Sequence, residues 1–371
     1  MRRRQRNEGI SEELWRGRRR GYTTGACAAA AAQAAAVALF ADRQESTARV
    51  EAPGGVMLSV PVAVSGRVSS SRGQIGTATV IKESGDHPDV THGAEIRAEV
   101  ESVAGSDVTI CAGVGIGRVT RPGLAIQVGE PAINPVPLRM IERAVAAVLP
   151  PDTGVRVTIS VPRGEELARK TFNARLGIEG GLSILGTTGV VETDSEESYK
   201  SALARQVDLA LAAGQETLYL VPGDAGERFV VERLGVSHDA VVWTSNFVGY
   251  ILQRCAQRHV PRVVLAGHIG KLVKVAAGIF QTHNRLADAR LETLAAYAAL
   301  HGAGQETVAT ILRSESAEAA AQLLISRGHP EVFQTLARRA AERARSYVGG
   351  TVAVDCILIS LRGEILGSTM R

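Results

Sequence analysis

The sequence predicts two domains, a β-rich α+β domain followed by a three-layer α/β domain on a mainly parallel sheet. Three observations lead there. The first is length, since 371 residues exceed what one ordinary core organises. The second is a change of pattern at Pro150-Pro151-Asp152. Before it lie short strand-like runs bounded by Gly, Pro, Asp or Ser; after it, apolar runs alternate with helical stretches. The third is a repeated order of strand, glycine turn and helix. Leu182 to Leu185 stops at Gly186-Thr187-Thr188-Gly189, Leu218 to Val221 at Pro222-Gly223-Asp224, and Val263 to Ala266 at Gly267-His268-Ile269-Gly270-Lys271. Glycine lets backbone approach a ligand, and the N–H groups that open a helix attract anions. Three such turns in one region describe the ligand edge of a Rossmann-like sheet, where crevices at the strand ends hold small molecules.

In chain order, residues 1–20 form a basic flexible arm with eight arginines against Glu8, Glu12 and Glu13. Thr23 or Thr24 then caps an alanine-rich helix from Ala26 to Ala41, and the Thr-Thr-Gly turn is a candidate pocket lining. The α+β domain spans 21–150, with strands expected at Val56 to Val64, Ala78 to Ile81, Ile96 to Val103, Val108 to Cys111 and Leu124 to Val128. The Gly113–Gly117 run lacks the third glycine of a dinucleotide fingerprint, and Arg121-Pro122 stops a helix from starting there. It reads as a turn offering Arg118 and Arg121 to an anion. His87 and His92 with Asp86 and Asp89 suggest a metal, but a Pro-interrupted acidic loop reads as a turn, so no protein metal site is expected. The α/β domain spans 151–350, starting with a strand from Val155 to Val161, and 351–371 holds a last strand that rejoins a sheet.

Composition narrows the function classes. With 45% hydrophobic and 22% charged residues the chain is globular, not disordered. The net charge of +4 sits largely in the arm, so the body carries no nucleic-acid footprint. Cys27, Cys111, Cys255 and Cys356 are far apart, which disfavours zinc and disulfides and suits a reducing cytoplasm. Arginines ahead of Ala26 to Phe40 imitate a twin-arginine export signal, but the apolar part is mostly alanine, carries Gln33 and lacks a cleavage site. No run of about 18 strongly apolar residues exists, so no membrane span is expected.

Nearly the whole chain after the arm resembles the cobalt-precorrin-5B C1-methyltransferases, the CbiD type. The resemblance rests on Gly21-Tyr22-Thr23-Thr24-Gly25, Pro88 to Ile96, Gly113 to Pro122, Gly129 to Pro135, Lys170-Thr171-Phe172-Asn173 and Gly181 to Val190. Asn246-Phe247-Val248-Gly249, Gly267 to Lys274, Thr282-His283 and Ala287-Asp288-Ala289-Arg290 complete it. Departures are local: Ala26, His87, Ala174, Thr193-Asp194 and Asn284 stand where the family usually has other residues.

The resemblance implies methyl transfer from S-adenosylmethionine to C1 of a cobalt-containing macrocycle, cobalt-precorrin-5B giving cobalt-precorrin-6A, in anaerobic cobalamin biosynthesis. On that reading the cobalt belongs to the substrate. The donor lies against Gly186, Thr187, Thr188 and Gly189, with Gly267 nearby and Asp224 on its ribose. Thr23, Thr24, Arg118, Arg121, Lys271 and Lys274 hold the acceptor's carboxylates, and His268 or His283 lies near the reacting carbon. Direct transfer asks chiefly for positioning. Homo-oligomers and hand-over to other pathway enzymes are the partners expected. Two other classes compete. One is a non-catalytic corrinoid carrier, which would bind no methyl donor. The other is a phosphotransferase, disfavoured because Leu272 follows Gly270-Lys271 where a magnesium ligand belongs.

Overall fold

The computed structural model describes residues 21–71, 73–191 and 195–370. The basic arm and the Thr193-Asp194 departure lie outside them. The fold is mixed α/β with several sheets, and the chain divides into two compact units, Met1–Ser195 and Glu196–Arg371.

Unit 1 opens with β1 (Gly21–Tyr22) and α1 (Thr24–Ala41). Thr23 caps α1, its Oγ1 accepting the Ala26 N–H at 3.2 Å. Ala28 to Ala32 and Ala34 to Ala36 have no exposed surface at all, so the helix is buried on every side. Among the described residues α1 alone is long and apolar enough to cross a membrane, yet it is the core helix of this unit. Small side chains make that possible. A Cβ on Gly76 would fall 1.9 Å from the Ala35 carbonyl oxygen, so helix and sheet touch backbone to backbone. The other elements of unit 1 follow, several of them packed against this helix. They are β2 (Thr47–Ala52), β3 (Val56–Pro61), β4 (Val64–Ser70), β5 (Gly73–Ile81), β6 (Glu95–Val103), β7 (Val108–Ala112), β8 (Arg118–Val119), α2 (Pro135–Ala146), β9 (Gly154–Ser160), α3 (Gly164–Ala168), β10 (Ile178–Glu179) and β11 (Val190–Val191). The main sheet has the order β4-β5-β6-β9-β7.

Three expectations fail here. The division falls at Ser195, not near Pro150, because β9 is an interior strand of the first sheet, antiparallel to β6 and parallel to β7. Leu182 to Leu185 is no sheet strand. Leu182 and Ile184 are buried but make only isolated bridges to Ile116 and Ile133, and β10 and β11 return to β8 and β1 on either side. Leu124 to Val128 is a loop tip, closed below by a Gly129 N–H bond to the Val119 carbonyl at 2.7 Å, with Val128 exposed.

A buried lysine holds the Pro88-Asp89 loop. Lys82 is 2% exposed and donates to Asp89 Oδ2 at 2.6 Å and to Ser84 Oγ at 2.8 Å. Asp89 Oδ1 accepts the Thr91 N–H and hydroxyl, both at 2.7 Å, which accounts for this carboxylate without a metal.

Unit 2 begins with α4 (Ser195–Ala212) and continues with β12 (Thr217–Val221), α5 (Asp224–Arg228), β13 (Val241–Trp243), α6 (Val248–Gln257), β14 (Arg262–His268) and α7 (Ile269–Ala276). The helices α8 (Arg290–Leu300), α9 (Gln305–Leu312), α10 (Ala317–Ser326) and α11 (Glu331–Tyr347) follow, then β15 (Ala353–Ile359) and β16 (Ile365–Ser368). The sheet order is β13-β12-β14-β15-β16, parallel except for the last pair. From β12 the chain passes outward to β13 and then returns to the other side of β12 as β14. The switch point therefore lies between the carboxyl ends of β12 and β14.

The Lys82–Asp89 pair makes unit 1 sensitive to acid. Burial alone would raise the Asp89 carboxyl, but the Lys82 charge and the bonds from Lys82 and Thr91 outweigh it and hold the pKa at about 2. A folded pKa below the unfolded value of about 3.9 stabilises fully above about pH 4, and that stability is lost as the pH falls towards 2. Asp89→Asn leaves Lys82 buried against a neutral group, at a cost of about 3 kcal/mol. Its melting temperature should fall well below wild type at pH 7, and the gap should shrink between about pH 4 and pH 2. A constant gap down to pH 2 would show that the pair does not carry the effect.

Candidate functional site

The carboxyl edge of the unit 2 sheet brings three loops together. After β12 comes Pro222-Gly223-Asp224, after β13 Thr244-Ser245-Asn246, and after β14 the first turn of α7. The loops on either side of the switch point touch, because a Cβ on Gly226 would meet the Ala266 carbonyl at 2.6 Å and one on Gly267 would meet Pro222 at 2.8 Å. Gly223 instead faces open space, with no atom of the described residues within 4 Å of where its Cβ would stand. Asp224 is exposed and pairs with Arg228 at 3.2 Å. Thr244 is fully buried and donates its N–H to the Val221 carbonyl at 2.8 Å, tying the β13 loop to β12. That tie presents Asn246, whose Oδ1 accepts from Lys271 and whose carbonyl accepts the Thr282 N–H at 2.8 Å.

Lys271 and Lys274 do share a face of α7, as their spacing predicts, but their jobs differ. Lys274 has no exposed surface. Its ammonium donates to the Thr282 carbonyl at 3.1 Å, Asn284 Oδ1 at 2.7 Å and the Ala287 carbonyl at 2.9 Å, with Asp288 at 4.0 Å. An ammonium has three protons, and all three are engaged, so Lys274 is not a ligand for acceptor carboxylates. Lys271 stays partly exposed.

Each of the two histidines accepts a backbone N–H on its Nδ1. His268 caps α7, its Nδ1 accepting the Gly270 N–H at 3.2 Å, so in the neutral ring the proton sits on Nε2. That Nε2 lies 2.9 Å from Glu318, which also accepts the Leu361 N–H at 3.2 Å. Both nitrogens of His268 are thus used within the fold. His283 is exposed, and its Nδ1 accepts the Arg285 N–H at 3.1 Å. Its neutral ring offers solvent an N–H donor and no lone pair.

The Gly186–Gly189 turn belongs to unit 1 and serves the N-terminus of α1. Thr24 Oγ1 accepts the Leu185 N–H at 2.9 Å and lies 3.2 Å from the Leu185 carbonyl, while the Thr23 N–H donates to Gly189 at 3.1 Å. Gly189 has φ of +80°, and a Cβ there would meet Leu58 at 2.8 Å and Ala52 at 3.0 Å. Thr23, Thr24, Gly186 and Gly189 therefore hold a buried helix start, with Thr187 and Thr188 exposed on the turn. Arg118, also in unit 1, is exposed and donates to the Gly129 carbonyl at 2.9 Å; Arg121 packs against Gly177. Asn246, Thr282, Asn284 and Glu318 escape a reading of turns and charges. Asn246 looks like an ordinary helix cap, and Glu318 lies 50 residues from its histidine.

The carboxyl edge of this mainly parallel sheet thus carries an open glycine, Gly223, an exposed carboxylate, Asp224, and a partly exposed lysine, Lys271. The chain belongs to the CbiD family, whose profile matches residues 12–193, with the profile described as "CbiD, C-terminal domain" on residues 281–370. Among curated relatives, the cobalt-precorrin-5B C(1)-methyltransferase of Moorella thermoacetica is 50% identical over 94% of both chains. That of Tolumonas auensis is 44% identical over 94% of this chain and 92% of its own. The Methanocaldococcus jannaschii protein of the same name is 42% identical over 94% and 95%. A solved structure described as a cobalamin biosynthesis protein from Archaeoglobus fulgidus is 29% identical, covers 74% of this chain and 84% of its own, and superposes with a TM-score of 0.39.

Two outcomes follow from this geometry. Burial, and then the charges of Lys274 and Arg290, push the Lys271 amine below the ordinary lysine range, whereas bonds from Glu196 and Glu197 hold Lys200 above it. In competitive acetylation read by mass spectrometry, reactivity of Lys271 should rise at a lower pH than that of Lys200; coincident profiles would contradict the burial argument. Gly189→Val combines a strained φ with overpacking against Leu58 and Ala52, and should cost about 2–4 kcal/mol in a thermal melt. An unchanged melting temperature would show that the turn is loosely held.

Proposed function

We propose that this chain transfers the methyl group of S-adenosylmethionine to C1 of cobalt-precorrin-5B, giving cobalt-precorrin-6A on the anaerobic route to cobalamin. The observation that carries this reading is the 50% identity, over 94% of both chains, to a relative named for that reaction. We read unit 2 as Rossmann-like, with the donor at the β12–β14 switch point. The open face of Gly223 and the exposed Asp224 carboxylate fit a ligand that carries a diol.

In this account Asp224 accepts bonds from the ribose hydroxyls, and Gly223 lets the ligand approach the backbone. Bound there, the donor supplies an electrophilic methyl on a sulfonium. Lys271 holds an acceptor carboxylate through a charge-assisted bond, and the outward N–H of His283 offers a second donor. Holding donor and ring carbon in line is the chain's main contribution to rate. The acceptor is a small molecule, and its product passes to a later pathway enzyme. We assign the chain to the cytoplasm, where its four free cysteines stay reduced.

Incubation with cobalt-precorrin-5B and donor deuterated at the methyl should yield a product heavier by one labelled methyl, located at C1 by NMR. Binding of the tetrapyrrole without methylation would favour the carrier reading. Asp224→Asn should weaken S-adenosylhomocysteine binding roughly tenfold by calorimetry, since a bond to a charged acceptor contributes on the order of 1.5–3 kcal/mol. Unchanged affinity would remove Asp224 from the donor.

A further inference from the structure

The segment after α7 is held by a device that nothing in the methyl-transfer reading requires. A fully buried ammonium, Lys274, is engaged by oxygens from both ends of one short loop, Thr282 at its start and Ala287 at its end, with Asn284 between them. The Thr282 N–H is fastened separately to the Asn246 carbonyl, which joins the loop to the carboxyl edge of the sheet. Burying a lysine this way is costly unless each proton finds an acceptor, so the arrangement over-determines the loop's backbone.

What the held loop displays is the reverse of its base. Leu286 is 67% exposed, and Arg285 beside it is exposed, with no side-chain partner among the described residues. His283 adds its outward N–H. An exposed leucine by itself is ordinary. A leucine, an unpaired guanidinium and a ring N–H within four residues of one held loop, joined to Lys271 through Asn246, suit a ligand with a broad apolar face and carboxylate arms.

We propose that the tip 283–286 is the recognition lip for the tetrapyrrole: Leu286 lies against the macrocycle, Arg285 grips a peripheral carboxylate, and Lys274 is the positioning residue that holds both in place. This rests on the methyl-transfer reading and adds substrate-contacting residues to it. Lys274 acts through the loop and does not touch the ligand.

The test uses the full chain and two probes: S-adenosylhomocysteine for the donor site, and cobyrinic acid, a stable cobalt corrin with free peripheral carboxylates, for the acceptor site. Arg285→Gln/Leu286→Ser alters only exposed side chains, so it should melt as wild type. It should bind the corrin at least tenfold more weakly, bind S-adenosylhomocysteine unchanged, and raise KM for the tetrapyrrole while kcat holds. Lys274→Met should show the same one-sided loss, with faster hydrogen exchange confined to 282–288. Corrin affinity equal to wild type in the double variant would overturn the lip. Equal loss of both ligands would overturn it too, by making the loop a general structural support. If the wild-type chain binds S-adenosylhomocysteine but neither the corrin nor cobalt-precorrin-5B, the methyl-transfer reading itself fails, and the lip with it.

Discussion

A charge taken out of water must be given partners, and each unit of this chain buries one such lysine. Lys82 and Lys274 are among the largest fully buried side chains in the molecule. Their solutions differ. Lys82 is neutralised by a carboxylate, Asp89, and the pair locks the Pro88 turn beside the start of α1. Lys274 is solvated by two carbonyls and an amide oxygen, with Asp288 farther off, so a loop replaces the water it lost. A carboxylate partner fixes one side chain. Carbonyl partners fix backbone, and a loop with fixed backbone can present side chains to a ligand.

The glycines divide along the same lines. Several in unit 1 remove bulk. Gly76 lets β5 touch α1, and Gly186 and Gly189 let a turn fold over the Thr23–Thr24 helix start. In unit 2, Gly226 and Gly267 bring the loops after β12 and β14 into contact, while Gly223 beside them meets nothing. Only the last is open to a ligand. Glycine permits close approach, and whether the approaching group is a ligand or the protein's own backbone is decided by what lies opposite.

That distinction explains how much was legible in the sequence. The strands at 217–221 and 262–268 and their turns could be read, because apolar runs ending in glycine or proline turns are local signals. The same signal misled at Leu182 to Leu185, where apolar alternation reflects a buried loop bridging to Ile116 and Ile133. The division at Ser195 is not legible in the sequence because β9 looks like any buried strand, and its sheet depends on pairing with β6, more than 50 residues earlier. Lys271 and Asp224 stand out in the sequence as charges next to turns. The fate of Lys274 and the tautomers of His268 and His283 do not, because they depend on which oxygen or N–H each side chain meets. Chemistry set by a partner such as Glu318 has no trace in local spacing.

On the proposed function, the methyl donor sits at the carboxyl edge of the mainly parallel sheet in unit 2, whereas the Gly186–Gly189 turn of unit 1 packs against Thr23, Leu58 and Ala52. A crystal structure of the full chain with S-adenosylhomocysteine tests it most directly. The account requires ligand density between the ends of β12 and β14, with the ribose hydroxyls within about 3 Å of the Asp224 carboxylate. Density against Gly186–Gly189, with Asp224 still paired to Arg228, would contradict it.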